Sequence, residues 1–322
     1  MTTVVSTAKE VALETETLRL INLVAYAAYS RSFGRGFREA TGIELPGSEL
    51  RTVLALTTGT PVSIGELASM IDVDLGQASR QVTTLVEARL VDRVADPADR
   101  RRSLAILSDQ GITAYNRWRG VWIQQYLEPV LLWAGDHVVT LTQWLTRVDT
   151  CLRQTLQRPV TGHGLPDDWY HTARLKSDEP SLRQYLEVMV RLVELAGRSN
   201  GFNDLLTELR APIRQQAYFA LRLIARHGPM PISELATRLA VDPSQASKRV
   251  RMLRQHGLVD QAVDSFDRRS AQVRVSRRGV LLVRRVHDLQ LASFVGIVGE
   301  VSSEDRARWT PLMARLLEGL SS

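Results

Sequence analysis

The side chains of this sequence whose types and spacing could do chemistry are amides, hydroxyls and guanidinium groups, and they form two clusters. The first cluster lies on one side of a short helical pattern and contains Gln77, Ser79, Arg80, Gln81 and Thr84. The second cluster is the run Arg100, Arg101 and Arg102 in a polar segment further along. Amides and guanidinium groups make paired hydrogen bonds with base edges. The clusters therefore favour contact with a nucleic acid over catalysis.

Both clusters occur a second time in the chain. Residues 232–279 repeat residues 64–111 without a gap, and about 20 of the 48 aligned positions are identical. The copied or neighbouring polar groups are Ser244, Gln245, Ser247, Lys248, Arg249, Arg268 and Arg269, and Met252 stands where the first copy has Thr84. A solenoid needs at least three repeats. The sequence therefore predicts a duplicated domain.

Each copy contains two short helical patterns joined by a tight connection, which is typical of a helix-turn-helix. The apolar face of the first helix is formed by Leu67, Ala68 and Ile71. The second helix follows an N-cap residue, Asp74 in the first copy and Asp242 in the second. A glutamine stands three residues after each cap, as in a capping box.

A short β pattern follows the second helix, then a polar tip, then a second β pattern. In the first copy these are residues 91–95, 96–102 and 104–107. A helix-turn-helix followed by a hairpin is a winged helix. The helix offers groups for the base edges of the major groove, and the arginines of the wing suit a narrow, electronegative minor groove.

Each copy resembles a winged-helix regulator of the MarR family. The resemblance is carried by the capped helix, the Leu-Val-Asp turns at 90–92 and 258–260, the D-x-x-D-R-R wings at 96–101 and 264–269, and the exits that end at Gly111 and Gly279. Ala98 and Phe266 stand where the family often has a wing arginine, which weakens one phosphate contact but leaves the arginine pair at the tip. The acidic residues before the tip arginines, Asp99 and Asp267, are expected to orient them.

The resemblance implies a mainly α fold with small β wings. MarR proteins are homodimers whose terminal helices interlock, with the winged helices splayed outward. Because both subunits are on one chain here, we expect an intramolecular pseudo-dimer that acts as a monomer. The first domain is assigned to residues 10–157 and the second to 181–322. Residues 158–180, with three prolines and two glycines, form the expected linker.

Composition bounds the remaining possibilities. The formal net charge is +6, and all of the excess lies in residues 161–322, which carry 24 basic and 18 acidic side chains. No run of about 18 apolar residues occurs, and the N-terminal segment does not read as a secretory signal. Cys151 is the single cysteine, which suits a reducing cytoplasm. It is either a redox sensor or, more commonly for such a residue, an inert buried thiol.

Other sites receive weaker support. The histidines are scattered, so no metal site or other cofactor is expected, and no nucleophile elbow or phosphate-binding loop predicts an enzyme. The family resemblance implies a pocket for small aromatic or anionic ligands. Candidate lining residues are Tyr26, Tyr29, Arg31, Phe33, Trp118 and Trp122. At helical spacing, such residues are more often part of the core.

Two hypotheses follow from the sequence. In the first, the chain is a cytoplasmic repressor released by a small molecule, and it reads an imperfectly palindromic operator in double-stranded DNA with two different recognition helices in successive major grooves. In the second, only the more basic second half binds DNA. The neutral first half then serves as a pairing or ligand-sensing module.

Overall fold

The computed structural model describes residues 12–27, 31–57, 59–71, 73–99, 102–156, 179–197, 201–239, 241–263 and 271–321. The expected linker lies outside these ranges except for its last two residues. The wing arginines 100, 101, 268 and 269 also lie outside them, and so does residue 29. In the described ranges, helices predominate and the strands are short, as predicted. No helix among them is long and apolar enough to cross a membrane.

The elements of the two repeats follow the same order. The first repeat contains α1 (Ala12–Ala27), α2 (Arg31–Thr41), α3 (Gly47–Leu56), β1 (Val62–Ser63), α4 (Ile64–Ile71), α5 (Leu75–Glu87), β2 (Val91–Ala95), β3 (Ser103–Leu107), α6 (Asp109–Leu127) and α7 (Gly135–Leu156). The second contains α8 (Pro180–Gly197), α9 (Gly201–Glu208), α10 (Gln215–His227), β4 (Met230–Pro231), α11 (Ile232–Leu239), α12 (Pro243–Gln255), β5 (Val259–Val263), β6 (Ala271–Val275), α13 (Arg277–Val298) and α14 (Ser303–Ser321).

One constant offset relates the two repeats. Ala12 and Pro180, which begin α1 and α8, are 168 positions apart, the same offset as in the sequence repeat. The same offset separates the starts of α3 and α10, of α4 and α11, of α5 and α12, of α6 and α13, of α7 and α14, and of the three pairs of strands. The duplication therefore runs from α1 to α14, well beyond the segment that sequence identity reveals.

Each winged helix has a small antiparallel sheet in the same strand order, β1-β3-β2 and β4-β6-β5. The register is also the same, since Val91 pairs with Leu107 in the first sheet and Val259 with Val275 in the second. These sheets confirm the predicted wings.

The helix-turn-helix of each repeat forms because its apolar stripe is buried at helical spacing. The buried stripe of α5 consists of Ala78, Val82 and Leu85, and that of α12 consists of Ala246, Val250 and Leu253. Leu90 and Leu258, just beyond these helices, are buried as well. The predicted core face of the recognition helix is confirmed in both repeats.

The chain forms two compact units that do not follow the two sequence repeats. One unit comprises the described residues among 1–28, 33–198 and 293–322, and the other those among 29–32 and 199–292. In the first unit, α1 packs against α8 and α14, and α7 packs against the same two helices. Terminal helices of both repeats thus interlock within one chain, which is the arrangement of an intramolecular pseudo-dimer. The second unit contains the second winged helix.

Candidate nucleic-acid interface

The recognition helices α5 and α12 are positioned by the same N-terminal cap. The Asp74 carboxylate accepts a hydrogen bond from the backbone N–H of Gln77 at 2.8 Å, and Asp242 accepts one from Gln245 at 2.9 Å. The hydroxyl of Ser244 and the backbone N–H of Gln245 both donate to Asp242 and lower the pKa of its carboxyl group. Each cap fixes the start of its helix and leaves the first turn accessible, where base contacts are made in helix-turn-helix proteins.

The first recognition helix presents a small polar face. Arg80 is exposed, and Gln77, Ser79 and Thr84 are half-buried. The hydroxyl of Thr84 donates to the backbone carbonyl of Arg80 at 3.2 Å, so it is partly engaged within the helix. Leu75, at the first helical position, is 61% exposed and was missed by the sequence analysis. This face offers one cation, an amide, two hydroxyls and one apolar side chain.

Gln81 does not belong to this face, which corrects the sequence-based assignment. Its side chain is only 3% exposed, and its amide oxygen accepts a hydrogen bond from the Thr52 hydroxyl at 2.9 Å. Position 81 lies three residues after Ala78 and four before Leu85, so it borders the buried stripe. An amide at that border was predictable as inward-facing only with knowledge of the partner on α3.

The second recognition helix presents a larger and more basic face. Ser244, Gln245 and Lys248 are exposed and Ser247 is half-buried. Arg249, assigned from the sequence as a base-reading residue, is half-buried, and its guanidinium group donates to the side-chain oxygen of Gln216 on α10 at 3.1 Å. Part of its hydrogen-bonding capacity is therefore used within the protein.

Two exposed arginines on α12 were not among the predicted contacts. Arg251 lies three residues after Lys248, so both are on the same side of the helix. Arg254 is exposed and donates to the side-chain oxygen of Gln261 on the neighbouring strand at 3.1 Å. Met252 is 42% exposed. The first repeat has Thr83 and Val86 at the equivalent positions. Analogy with the first helix therefore did not predict the two arginines of the second.

The two faces differ most in charge. Helix α5 carries Arg80 and Glu87 and has no net charge, whereas α12 carries four basic side chains and no acidic one. Over the whole winged helix, residues 62–107 hold six basic and seven acidic side chains, and residues 230–275 hold eight and five. The net charges are thus −1 and +3. The second winged helix is the stronger attractor for a polyanion.

The described part of the first wing supports its predicted shape. The backbone N–H of Ala98 donates to the Asp96 carboxylate at 2.8 Å and closes the tip turn. Arg102 is exposed and lies 3.5 Å from Asp99, as expected for an acidic residue that orients a wing arginine. Arg93 on β2, which the sequence analysis did not select, donates to the Thr83 hydroxyl of α5 at 3.2 Å. It joins the wing to the recognition helix.

Two family models match the chain where this geometry is found. A model described as the MarR family matches residues 43–102, and another with the same description matches residues 213–271. Each match begins just before the helix that supports the winged helix and reaches the wing. The chain is a tandem MarR-family transcription regulator.

Individual relatives of this tandem MarR regulator are distant. The uncharacterized HTH-type transcriptional regulator YwhA of Bacillus subtilis (strain 168) is 22% identical over 100 residues, which are 31% of this chain and 72% of that protein. A MarR family protein from Bacillus stearothermophilus is 17% identical, with a TM-score of 0.33, over 38% of this chain and 84% of its own. A mutant of S. aureus MepR bound to an oligodeoxyribonucleotide is 19% identical, with a TM-score of 0.30, over 37% and 87%.

The candidate ligand residues of this MarR chain that the structure describes are in the core. Trp118 is fully buried, and its ring meets Phe37 edge-on with 5.3 Å between centroids. Trp122 is 3% exposed and meets Tyr126 edge-on at 6.0 Å. The side chains of the other four candidates, residues 26, 29, 31 and 33, lie outside the described part. Both indoles thus take part in aromatic packing.

Two further expectations concern metals and the cysteine. Within the described ranges, no group of three or more His, Cys, Asp or Glu side chains could hold a metal ion. Cys151 is half-buried on α7, two residues from Asp149 and Arg153, which bond each other. Its redox activity stays an open prediction.

Proposed function

We propose that this MarR regulator binds double-stranded DNA as a single molecule and presents one recognition helix of each type to an operator with two unlike half-sites. The main support is that the two winged helices share cap, strand order and register but expose different side chains. An ordinary homodimer presents the same helix twice and reads a palindrome. This chain carries Arg80 and Thr84 on one helix and Lys248 and Met252 at the equivalent positions of the other. Its operator is therefore an imperfect palindrome.

The base-reading groups follow from exposure. In the first repeat they are Gln77, Ser79, Arg80 and Thr84, with Leu75 available for the methyl group of a thymine. In the second repeat they are Ser244, Gln245, Ser247, Lys248 and the accessible part of Arg249, joined by Arg251. The wing arginines, including Arg102, enter or flank the adjacent minor grooves.

The second winged helix supplies the larger share of the salt-dependent affinity. Each phosphate that a lysine or arginine neutralises releases counterions and adds roughly 0.9 to the slope of log affinity against log salt concentration. Helix α12 offers four cations where α5 offers one. The two ends of the operator thus differ both in base preference and in the strength of backbone contact.

We further propose that DNA binding represses transcription and that a small aromatic or anionic ligand relieves it. The support is the family resemblance. Since Trp118 and Trp122 pack against Phe37 and Tyr126, a ligand that used these indoles would have to displace part of that aromatic cluster. Because α6 follows the winged helix directly, a displacement of its residues 118 and 122 would give the ligand a route to the winged helix along this helix.

One observation favours a second candidate function, in which only the second repeat binds DNA. The first winged helix has a net charge of −1, and its recognition helix ends with Glu87. The first repeat would then act as a pairing partner alone. The two functions therefore differ in whether Arg80 contributes to the affinity for DNA.

Matched charge removals separate the two functions. We expect Lys248→Ala and Arg80→Ala each to weaken binding to the selected operator, and Lys248→Ala to reduce the salt slope by about 1. Arg308→Ala is the control, because Arg308 is half exposed on α14, away from either winged helix in the sequence. Affinities measured by fluorescence anisotropy at several salt concentrations give both numbers. If Arg80→Ala binds like the control, only the second repeat reads DNA; if Lys248→Ala does so as well, the proposed interface is wrong.

A further inference from the structure

The interlocked helices of the first unit bury two ion pairs between the repeats. Glu14 of α1 is fully buried, and its carboxylate accepts a hydrogen bond from the Arg306 guanidinium of α14 at 2.6 Å. Asp149 of α7 is also fully buried and accepts one from Arg191 of α8 at 2.8 Å. In both pairs the acid belongs to the first repeat and the arginine to the second. Each of these two pairs thus joins an acid of the first repeat to an arginine of the second.

The constant offset of 168 identifies the position that corresponds to each member of these pairs. Glu14 and Arg306 correspond to Leu182 and Val138. Both of these residues are buried, and they lie on α8 and α7, which pack against each other as α1 and α14 do. At this position, the α1–α14 pair therefore contains a buried ion pair, and the equivalent α7–α8 pair contains two aliphatic side chains.

The members of the second ion pair also correspond to aliphatic residues of the other repeat. Asp149 corresponds to Leu317, which is buried, and Arg191 corresponds to Leu23, which is half-buried. The stacked rings of Trp144 and Trp309, 5.1 Å apart, correspond to the buried leucines Leu312 and Leu141. Charge and bulk at this interface have thus been placed differently on its two equivalent sides.

We propose that this surface selects its partner: the first repeat fits only a second repeat, and pairing of like repeats is excluded. If two first repeats paired, Glu14 would meet Val138 in place of Arg306, twice. Asp149 would meet Leu23 and keep only Arg153 of its own helix, also twice. A fully buried carboxylate that loses its cation is strongly destabilising, whereas replacing a whole buried pair by aliphatic residues is tolerated. Two second repeats would place Arg306 against Leu182. Unpaired charges of this kind are how interfaces reject wrong partners.

This selectivity has a consequence for the assembly. Even when two chains exchange repeats, every interlocked pair contains one first repeat and one second repeat. Each pair then presents one recognition helix of each type. The consequence for DNA rests on the proposed function, but the selectivity itself depends only on the buried pairs and is tested without DNA.

Two complementary variants of the full chain test the selectivity. Glu14→Leu leaves Arg306 facing a leucine, and Arg306→Val leaves Glu14 facing a valine, so each chain is mismatched within itself. When the two variants pair with each other, one interface regains Glu14 with Arg306 and the other has leucine with valine, as at positions 182 and 138. Co-expression with different tags should therefore produce a two-chain complex of twice the 36.1 kDa chain mass.

We expect capture of the untagged variant to exceed that of a tagged and untagged wild-type pair by about tenfold or more, the ratio that corresponds to about 1.4 kcal/mol of preference. Glu14→Leu co-expressed with wild type is the matched control, because exchange leaves the number of mismatches unchanged. Capture at the level of this control would overturn the proposal.

A third variant covers the case in which Arg306→Val does not fold alone. The chain that carries both Glu14→Leu and Arg306→Val contains two aliphatic pairs and no buried unpaired charge from this site. It should be soluble and melt at a higher temperature than Arg306→Val. A double variant that is no more stable than Arg306→Val would show that Glu14 and Arg306 are not coupled, and this would also overturn the proposal.

Discussion

The two winged helices of this chain share their internal geometry and differ in what they present to solvent. In both, a serine after the last strand donates its hydroxyl at 2.7 Å to a backbone carbonyl, that of Arg89 for Ser108 and that of Gly257 for Ser276. Both serines then accept a hydrogen bond at 3.0 Å from the backbone N–H three residues later. The net charges of the two winged helices, over residues 62–107 and 230–275, differ by four units. Duplication thus preserved the scaffold while the contact surfaces diverged.

Buried side chains beneath the recognition helices have changed together with their partners. In the first repeat, Gln81 is bonded to Thr52 of α3. The equivalent residues are Arg249 and Ala220, and the alanine offers no hydroxyl. Arg249 instead reaches Gln216, one turn earlier on α10. The position that is buried and supports the scaffold in the first repeat is therefore half-buried in the second.

The largest expected effect tests whether both winged helices exclude a side chain at the start of the helix that follows the last strand. A Cβ on Gly111 would lie 2.0 Å from the backbone carbonyl oxygen of Leu90, and one on Gly279 would lie 2.2 Å from that of Leu258. Because backbone must move to relieve either clash, Gly111→Ala and Gly279→Ala should each reduce the free energy of unfolding by about 3 kcal/mol. Chemical denaturation measures both.

Gly65→Ala is the control for these glycines, since a Cβ at that helical position meets no atom within 4 Å. It should leave stability unchanged or raise it slightly. If Gly279→Ala were as stable as this control while Gly111→Ala was destabilised, the two winged helices would not pack alike at this position.

The next effect separates scaffold from contact surface at Gln81. Gln81→Ala should lower the free energy of unfolding by about 1–2 kcal/mol, because it leaves the buried Thr52 hydroxyl without its amide acceptor. Half-site preference should not change. Thr52→Val in combination with Gln81→Leu should recover part of the loss, since both polar partners are then removed. If Gln81→Ala left the stability unchanged and altered the base preference, Gln81 would be a DNA-contacting residue after all.

The smallest effect concerns the turn after each recognition helix. Arg89 has a φ of 59° and its copy Gly257 has a φ of 64°, both in the left-handed region that favours glycine. Gly257→Ala should therefore destabilise the second repeat by about 1 kcal/mol. Arg89→Gly should stabilise the first by about 0.5 kcal/mol, because relief of strain slightly exceeds the added chain entropy. Thermal denaturation should therefore show a loss for Gly257→Ala and a smaller gain for Arg89→Gly. A loss for both variants would show that Arg89 makes a stabilising contact of its own.

Local patterns predicted much of the fold. The caps Asp74 and Asp242, the apolar stripes of α5 and α12 and the hairpin wings follow from spacing and residue type, and all are confirmed. The interlocked helices followed from the family resemblance together with the duplication. These features depend on residues close in sequence or on a repeated plan, which a single chain displays directly.

The contacts that sequence reasoning missed depend on residues far apart in the chain. Gln81 is buried because Thr52, 29 positions away, bonds its amide. Glu14 and Arg306 are separated by 292 positions, so no local pattern pairs them. Arg251 and Arg254 were overlooked for a different reason: the first repeat served as the template for the second, and the template has no cations there.

Selection of binding sites from random double-stranded DNA tests the central claim most directly. The full chain is incubated with a random library at moderate salt, and the enriched sequences are aligned without imposing symmetry. Two different recognition faces predict a consensus with two unlike half-sites, occupied in one orientation, in which the half-site bound by the second repeat changes for Lys248→Ala and the other changes for Arg80→Ala. A perfectly palindromic consensus, affected equally at both ends by either variant, would contradict the account.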